Sequence, residues 1–268
     1  MKSTHTHHNL KTRLAGVGLL AAGALLASNV ALGCTTANWT ATSGAVAAGS
    51  PSPDGIARYQ GLCALQATGT GYVQDNSPGG IDRIVARFYV LNNNTSTATI
   101  YQGYGNTSGG NARFTVTLDN AGNVTLTDEA TGQFVTQSGS TNWLSVEIDW
   151  GQGAGTGFAS LSVNGATAAQ ATGLSNSGTA LQSVRLGNLN GATGTLNFDS
   201  YESRRSTAIG RLLVADANGN GSINALDMVA LRNEILGNAL ATGTPDCNEN
   251  GGINSQDIVC TRNIILGP

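Results

Sequence analysis

Short runs in which apolar and polar residues alternate dominate the chain from Ile56 to Tyr201, and Gly, Asn, Ser and Pro break them at regular intervals. A period of two places successive side chains on opposite faces, so such runs predict half-buried strands. Arg113-Phe114-Thr115-Val116-Thr117-Leu118 shows it well; Arg83–Leu91 alternates less cleanly. The pattern predicts strands over Ile56–Gln66, Gly71–Gln74, Ile84–Leu91, Ala98–Gly103, Ala112–Leu118, Asn123–Thr127, Gln133–Thr136, Trp143–Trp150, Gly157–Val163, Val184–Asn188 and Gly194–Tyr201. Asp119–Asn123 and Val163-Asn164-Gly165 carry hairpin-turn chemistry. No segment before Ala225 has a helical period. So many short strands in one stretch predict a two-sheet sandwich.

Four runs give that sandwich a more particular form. They are Trp143–Trp150, Phe158–Gly165 with its closing Asn-Gly, Leu181–Gly187, and Phe198-Asp199-Ser200-Tyr201-Glu202. In this order they resemble the laminin-G-like, concanavalin-A-like jelly roll over roughly residues 38–205. The resemblance implies a mainly β fold. That fold hosts lectins, adhesion modules and glucanases alike, so it does not fix a function.

The pattern changes at the C-terminus, where a motif occurs twice, offset by thirty residues. The first copy is Asp216-Ala217-Asn218-Gly219-Asn220-Gly221-Ser222-Ile223-Asn224-Ala225-Leu226-Asp227, and the second is Asp246-Cys247-Asn248-Glu249-Asn250-Gly251-Gly252-Ile253-Asn254-Ser255-Gln256-Asp257. Each has oxygen-bearing residues at loop positions 1, 3, 5, 9 and 12 and glycine at 6, the EF-hand spacing with Asp as the twelfth residue. A hard cation such as Ca²⁺ takes six to eight oxygens, and only glycine makes the sharp turn at position 6 without strain. Two calcium sites follow as expectations: Asp216, Asn218, Asn220, Ser222 and Asp227, then Asp246, Asn248, Asn250, Gly252 and Asp257. Ile223 and Ile253 stand where paired loops would join by a short β contact. A short apolar helix is expected after each loop, with Gly237 and Gly267 as C-caps. Only two carboxylates at the ligand positions of each loop imply an affinity of ~10⁻⁶–10⁻³ M.

Paired loops, Asp at position 12 and one trailing helix per loop resemble a type I dockerin domain, which implies a cohesin-like protein partner. In that family the partner is met at loop positions 10 and 11 and helix positions 17 and 18. Here these are Ala225, Leu226, Arg232 and Asn233, then Ser255, Gln256, Arg262 and Asn263. The Arg-Asn pair recurs in both copies; the position 10/11 pair does not.

Composition narrows the setting. Charged residues make up only 11% of 268 residues and glycine numbers 37, which suits a turn-rich exported β protein. Met1–Gly33 has the form of a secretory leader: Lys2, Lys11 and Arg13 precede the apolar Leu14–Leu26, too short to span a bilayer, and Ala31-Leu32-Gly33 fits a cleavage site. Cleavage there leaves Cys34 first, which opens a lipoprotein alternative. Without the leader the chain has ten arginines against 16 acidic residues, a net charge of −6, and no lysine. That surface argues against nucleic acid or an anionic membrane as partner. Four exported cysteines suggest two disulfides, with Cys34–Cys63 and Cys247–Cys260 favoured because each stays within one domain. The expected domains are the leader, a sandwich over 34–206 and a calcium module over 207–268.

Candidate catalysis centres on Glu147-Ile148-Asp149. Laminarinase-like glucanases on the resembled fold use Glu-x-Asp-x-x-Glu, but Gln152 replaces the last acid here. The competing reading makes Glu147 and Asp149 the polar face of a strand whose Val146, Ile148 and Trp150 face the core. Histidine occurs only in the leader, which excludes a Ser-His-Asp triad. Tyr101, Tyr104 and Asn106 are a candidate sugar platform. The function expected is a non-catalytic calcium module docking to a protein, with a sandwich that binds glycan or acts as a spacer. A polysaccharide-degrading enzyme and a structural surface protein are the alternatives.

Overall fold

The computed structural model describes residues 34–51 and 55–267. The expected leader, Met1–Gly33, lies outside them. Twelve strands come first: β1 (Ala41–Gly49), β2 (Ala64–Asp75), β3 (Arg83–Asn94), β4 (Ala98–Tyr104), β5 (Ala112–Leu118), β6 (Val124–Asp128), β7 (Phe134–Gln137), β8 (Trp143–Gly151), β9 (Ala154–Val163), β10 (Ala169–Ser175), β11 (Ser183–Asn188) and β12 (Gly194–Arg204). Two helices follow, α1 (Ala225–Ile235) and α2 (Ser255–Leu266).

The strands hydrogen-bond in the order β10-β9-β8-β3-β12-β2-β11-β4-β5-β6-β7, with β1 beside β2. Far ends of that path meet, because β6 and β7 pack on β9 and β7 packs on β10. The sheet thus doubles over itself into a jelly-roll β-sandwich. Between its layers lie Phe88, Ile100, Tyr101, Phe114, Leu126, Ile148, Trp150, Leu161 and Phe198, all buried. Each such side chain stabilises the fold by ~1.5–3 kcal/mol relative to exposure. Among the polar groups buried there, Asp128 is bonded within the core: its Oδ2 accepts from Trp150 Nε1 at 2.8 Å and from Asn176 Nδ2 at 2.6 Å.

β3 alternates poorly in sequence because both its faces are covered. Ile84, Ala86, Phe88 and Val90 face the main core. Tyr89 and Leu91 face the other way into a smaller cluster with Tyr59 and Trp143. Tyr59 and Tyr89 stack at 3.8 Å between ring centroids, and Trp143 meets Tyr59 edge-on at 5.7 Å.

Several expectations need correction. Ile56–Cys63 is not a strand; β2 begins at Ala64 and continues through Gly71–Gln74 without a break. Instead the Cys34–Cys63 disulfide and a carboxylate hold this loop: Asp199 Oδ2 accepts from the N–H groups of Tyr59 (2.7 Å) and Gln60 (2.9 Å). The same disulfide leaves the Cys34 sulfur no bond for a lipid, which removes the lipoprotein alternative. Tyr101 and Tyr104 are core residues rather than a surface platform. β1 and β10 have no counterpart among the expected strands. Their side chains are mostly exposed, so they carry no apolar alternation.

Candidate metal centre

Each C-terminal loop closes through its own side-chain oxygens. In the first, Asp216 Oδ1 and Oδ2 accept from the N–H groups of Asn220 (3.0 Å) and Gly221 (2.7 Å). Asn218 Oδ1 accepts from Asn220 N at 3.0 Å, and Asn220 Oδ1 from Ser222 N at 2.9 Å. Asp227 closes the ring from the helix, accepting from Asn218 N at 3.1 Å and Asn224 N at 2.8 Å. The second loop repeats every bond: Asp246 to Asn250 and Gly251, Asn248 to Asn250, Asn250 to Gly252, and Asp257 to Asn248 and Asn254.

The sequence folds this way for local reasons. Gly221 and Gly251 have φ of 82° and 89°, a region L side chains rarely adopt. Asn224 and Asn254 end their loops as N-caps, accepting from Leu226 N and Gln256 N at 2.9 Å. Asp227 and Asp257 complete reciprocal capping boxes three residues on. The position-9 amide oxygens are thus committed to the helices. Gly237 follows Leu236, the C-cap of α1, Gly267 is the C-cap of α2, and both have φ of 72°. No β bridge joins Ile223 to Ile253 among the described residues. The two units instead pack through their helices and a small core of Ala217, Leu231 and Ala241, with Ile253 and Ile258 against it. Cys247–Cys260 clips the second loop to α2, as expected.

The donor set fits a hard divalent cation. Asp227 and Asp257 have no exposed surface, and Asp216 and Asp246 are 7% and 1% exposed. Among the described residues none of the four is ion-paired to an arginine. Two buried carboxylates per loop without a cationic partner are costly. Burial raises the Asp246 carboxyl to about 7 against the pull of the Gly251 N–H, and the neighbouring Asp257 charge adds to the rise. Each loop offers two carboxylates, two amide oxygens and the position-7 carbonyl, the oxygen-only chemistry that Ca²⁺ prefers.

The expected partner-facing residues lie on the outside of the helices. Ala225, Leu226, Arg232, Ser255, Gln256, Arg262 and Asn263 are exposed and Asn233 is half-buried. Around them Val229, Leu236, Val259, Ile264 and Leu266 are exposed as well, leaving an apolar face on each helix.

The two carboxylates of the candidate catalytic strand are engaged elsewhere. Glu147 Oε2 accepts from the N–H groups of Ile209 (3.1 Å) and Gly210 (2.6 Å), pinning the connector after β12. Asp149 forms a bidentate pair with Arg83 at 2.9 and 2.7 Å. Val146, Ile148 and Trp150 are buried on the opposite face.

Sequence reasoning did not find the contacts between sandwich and module. Arg58, with no exposed side-chain surface, donates to both carboxylate oxygens of Glu234 on α1 at 2.7 Å. Glu249 of the second loop accepts from Tyr59 Oη at 2.7 Å and pairs with Arg211. Its carbonyl accepts from Trp143 N at 2.8 Å. One signal was present: position 4 is Gly219 in one copy and Glu249 in the other. It also missed a cleft of about 300 Å³ beside Trp39 and Tyr201, lined further by Thr35, Leu65, Leu186 and Ser200. Ser200 has φ of 51° within an irregularity of β12 between Asp199 and Glu202. Such bulges re-aim side chains, and here Tyr201 meets Trp39 with ring centroids 5.1 Å apart.

Residues 214–266 match the dockerin type I domain. Domains of this type bind calcium and dock to cohesin partners. No curated protein matches the chain. Among solved structures, a cellulose-induced protein is similar at 12% identity, with a TM-score of 0.43 over 66% of this chain and 90% of its own. A chain of botulinum neurotoxin type C is similar at 10% identity and a TM-score of 0.42 over 62% of this chain; this chain spans only 44% of it. The heptameric pentraxin of Limulus polyphemus is similar at 11% identity and a TM-score of 0.36 over 48% and 67% of the two chains. No helix among the described residues is long and apolar enough to cross a membrane.

Proposed function

We propose that the chain is an exported two-domain protein, a sandwich over 34–206 and a module over 207–268, whose module binds two calcium ions and docks to a cohesin-like protein. Asp216, Asn218, Asn220, Ser222 and Asp227 hold one ion; Asp246, Asn248, Asn250, Gly252 and Asp257 hold the other. The observation that carries this reading is the pair of rings of buried, cation-free carboxylates within the segment that matches a dockerin type I domain. Calcium supplies the charge that neutralises each carboxylate pair; the chain's own residues set the ring and cap the helix that leaves it. Arg232 and Arg262 give each exposed helix face a cation beside apolar surface, a combination enriched in protein interfaces.

The sandwich serves to bind glycan, and the cleft beside Trp39 and Tyr201 is the surface that suits it. Aromatic faces stack on sugar rings, and Ser200 and Thr35 supply hydroxyls at the same place. The engagement of Glu147 and Asp149 in structural bonds favours this binding role over hydrolysis at that strand.

The test is capture of the full chain on an immobilised cohesin module in calcium and in chelator. Calcium-dependent capture weakened at least tenfold by the double substitution Arg232→Ala/Arg262→Ala supports docking through these faces. Capture indifferent to calcium or to both substitutions contradicts it. For the sandwich, a glycan array should show binding that Trp39→Ala abolishes with the fold intact; binding unchanged by Trp39→Ala removes the cleft.

A further inference from the structure

Although the two loops share every internal hydrogen bond, their surroundings differ. No atom lies within 4 Å of where a Cβ on Gly221 would sit. A Cβ on the equivalent Gly251 would sit 2.6 Å from Leu91 Cδ2 of β3, so the second loop rests directly on the sandwich. Position 4 of the first loop is Gly219, packed on Gly243 of its own module. At the same position of the second loop, Glu249 has φ of 61° and is fixed at both ends. Its carbonyl takes the Trp143 N–H of β8, and its carboxylate takes the Tyr59 hydroxyl and Arg211. Tyr59 is itself stacked on Tyr89, whose hydroxyl accepts from Leu212 N at 2.8 Å.

We infer that the two metal sites are inequivalent: the sandwich pre-orders the second loop through Glu249, so that metal binding in that loop and docking of the module on β3 and β8 are energetically coupled, whereas the first loop binds independently. The inference rests on the calcium reading above. Ordering a loop residue costs backbone entropy. Glu249 lies between ring members Asn248 and Asn250, so its backbone is fixed either by a cation closing the ring or by Trp143 and Tyr59 holding it from outside. Whichever acts first spares the other that cost, which is positive coupling without any change of shape. Coupling of this kind is reciprocal. Calcium must tighten the Trp143–Glu249 bond, and loss of that anchor must weaken the second site by the same factor. Glu249 is a positioning residue in this scheme and touches the metal through no side-chain atom.

The experiment uses the full chain with calcium chloride and reads two quantities: stepwise affinities by calorimetry and hydrogen exchange of the Trp143 amide. Calcium should slow that amide on the order of tenfold in the parent chain, and equally in Asp216→Ala, which lacks only the first site. Glu249→Gly copies the first loop at a positive-φ position that glycine accepts. It removes the carboxylate anchor and keeps the carbonyl that Trp143 bonds, so it should still bind two calcium ions, with one affinity reduced on the order of tenfold. Tyr59→Phe leaves the loop sequence untouched and should shift the same affinity in the same direction. Two bound ions with Trp143 exchange indifferent to calcium overturns the coupling alone. Loss of the response in Asp216→Ala, or unchanged affinities in both Glu249→Gly and Tyr59→Phe, does so too. Absence of any calcium binding overturns the calcium reading and the coupling with it.

Discussion

Asp227 and Asp257 each serve two structures at once. One oxygen accepts from the loop at position 3 and the other from the N–H of the helix N-cap. Two substitutions at Asp257 therefore separate these roles. Asn keeps an acceptor for the cap and removes the charge, so Asp257→Asn should abolish calcium binding in that loop while costing less than ~1 kcal/mol without metal. Ala removes both, so Asp257→Ala should lose the site and ~1 kcal/mol or more of stability even in chelator. Urea unfolding in calcium and in chelator checks both; equal behaviour of the two variants in chelator contradicts the dual role. Asp199 gives a pH prediction. Burial raises its carboxyl to about 6, against the backbone N–H groups of Gln60, Tyr59 and Ser200 that pull it down. The native state then holds a proton that the unfolded chain, titrating near 3.8, releases. Between those values the native form binds more protons, so this group's contribution to stability falls as pH rises and levels off above about 6. Asp199→Asn should flatten that slope by up to ~3 kcal/mol, measured by unfolding in saturating calcium at pH 4.5 and 7. The ring residues were legible because oxygen donors and a glycine at fixed spacing are the site's chemistry. Glu249 and Asp199 were not, because their partners lie 106 and 140 residues away, at Trp143 and Tyr59.

At the scale of elements, legibility followed burial. β5 and β8 alternate in sequence because one face of each meets the main core. β3 blurs because both faces are covered, and β1 and β10 vanish because most of their side chains are exposed and few, such as Leu174, reach the core. The loop Ile56–Cys63 imitates a strand in composition; its buried Ile56 and Tyr59 serve packing beneath the module rather than a ladder. The terminal glycines marked the helix ends, whereas the Asn caps went unread, and apart from Leu231 the apolar helix residues were not destined for a core. α1 buries only Asp227 and Leu231, and α2 only Asp257 and Thr261. What fixes α1 to the sandwich is the buried Arg58–Glu234 pair. Removing one partner strands a buried charge, so Arg58→Ala and Glu234→Ala should each cost ~3–5 kcal/mol. The double substitution should cost less than the sum, as a double-mutant cycle in urea would show. Strict additivity contradicts the pairing.

For the molecule as a whole, the segment between β12 and the module is an attachment. Glu147 pins it at Ile209 and Gly210, Arg58 grips α1, and Tyr59 with Trp143 grips the second loop. Which residues join the two domains was not legible, since side chains that meet across an interface leave no periodic trace. Calcium bound only by the folded module stabilises whatever unfolds with it, so sandwich and module should melt in one calcium-sensitive transition. A sandwich transition unaffected by chelator contradicts the attachment. A calorimetric calcium titration of the full chain and of its Asp216→Ala and Asp246→Ala variants decides whether the twin rings of oxygens hold metal. Two ions are expected for the parent chain and one for each variant, with affinities of ~10⁻⁶–10⁻³ M. No binding at millimolar calcium, or a stoichiometry that neither substitution changes, would contradict it.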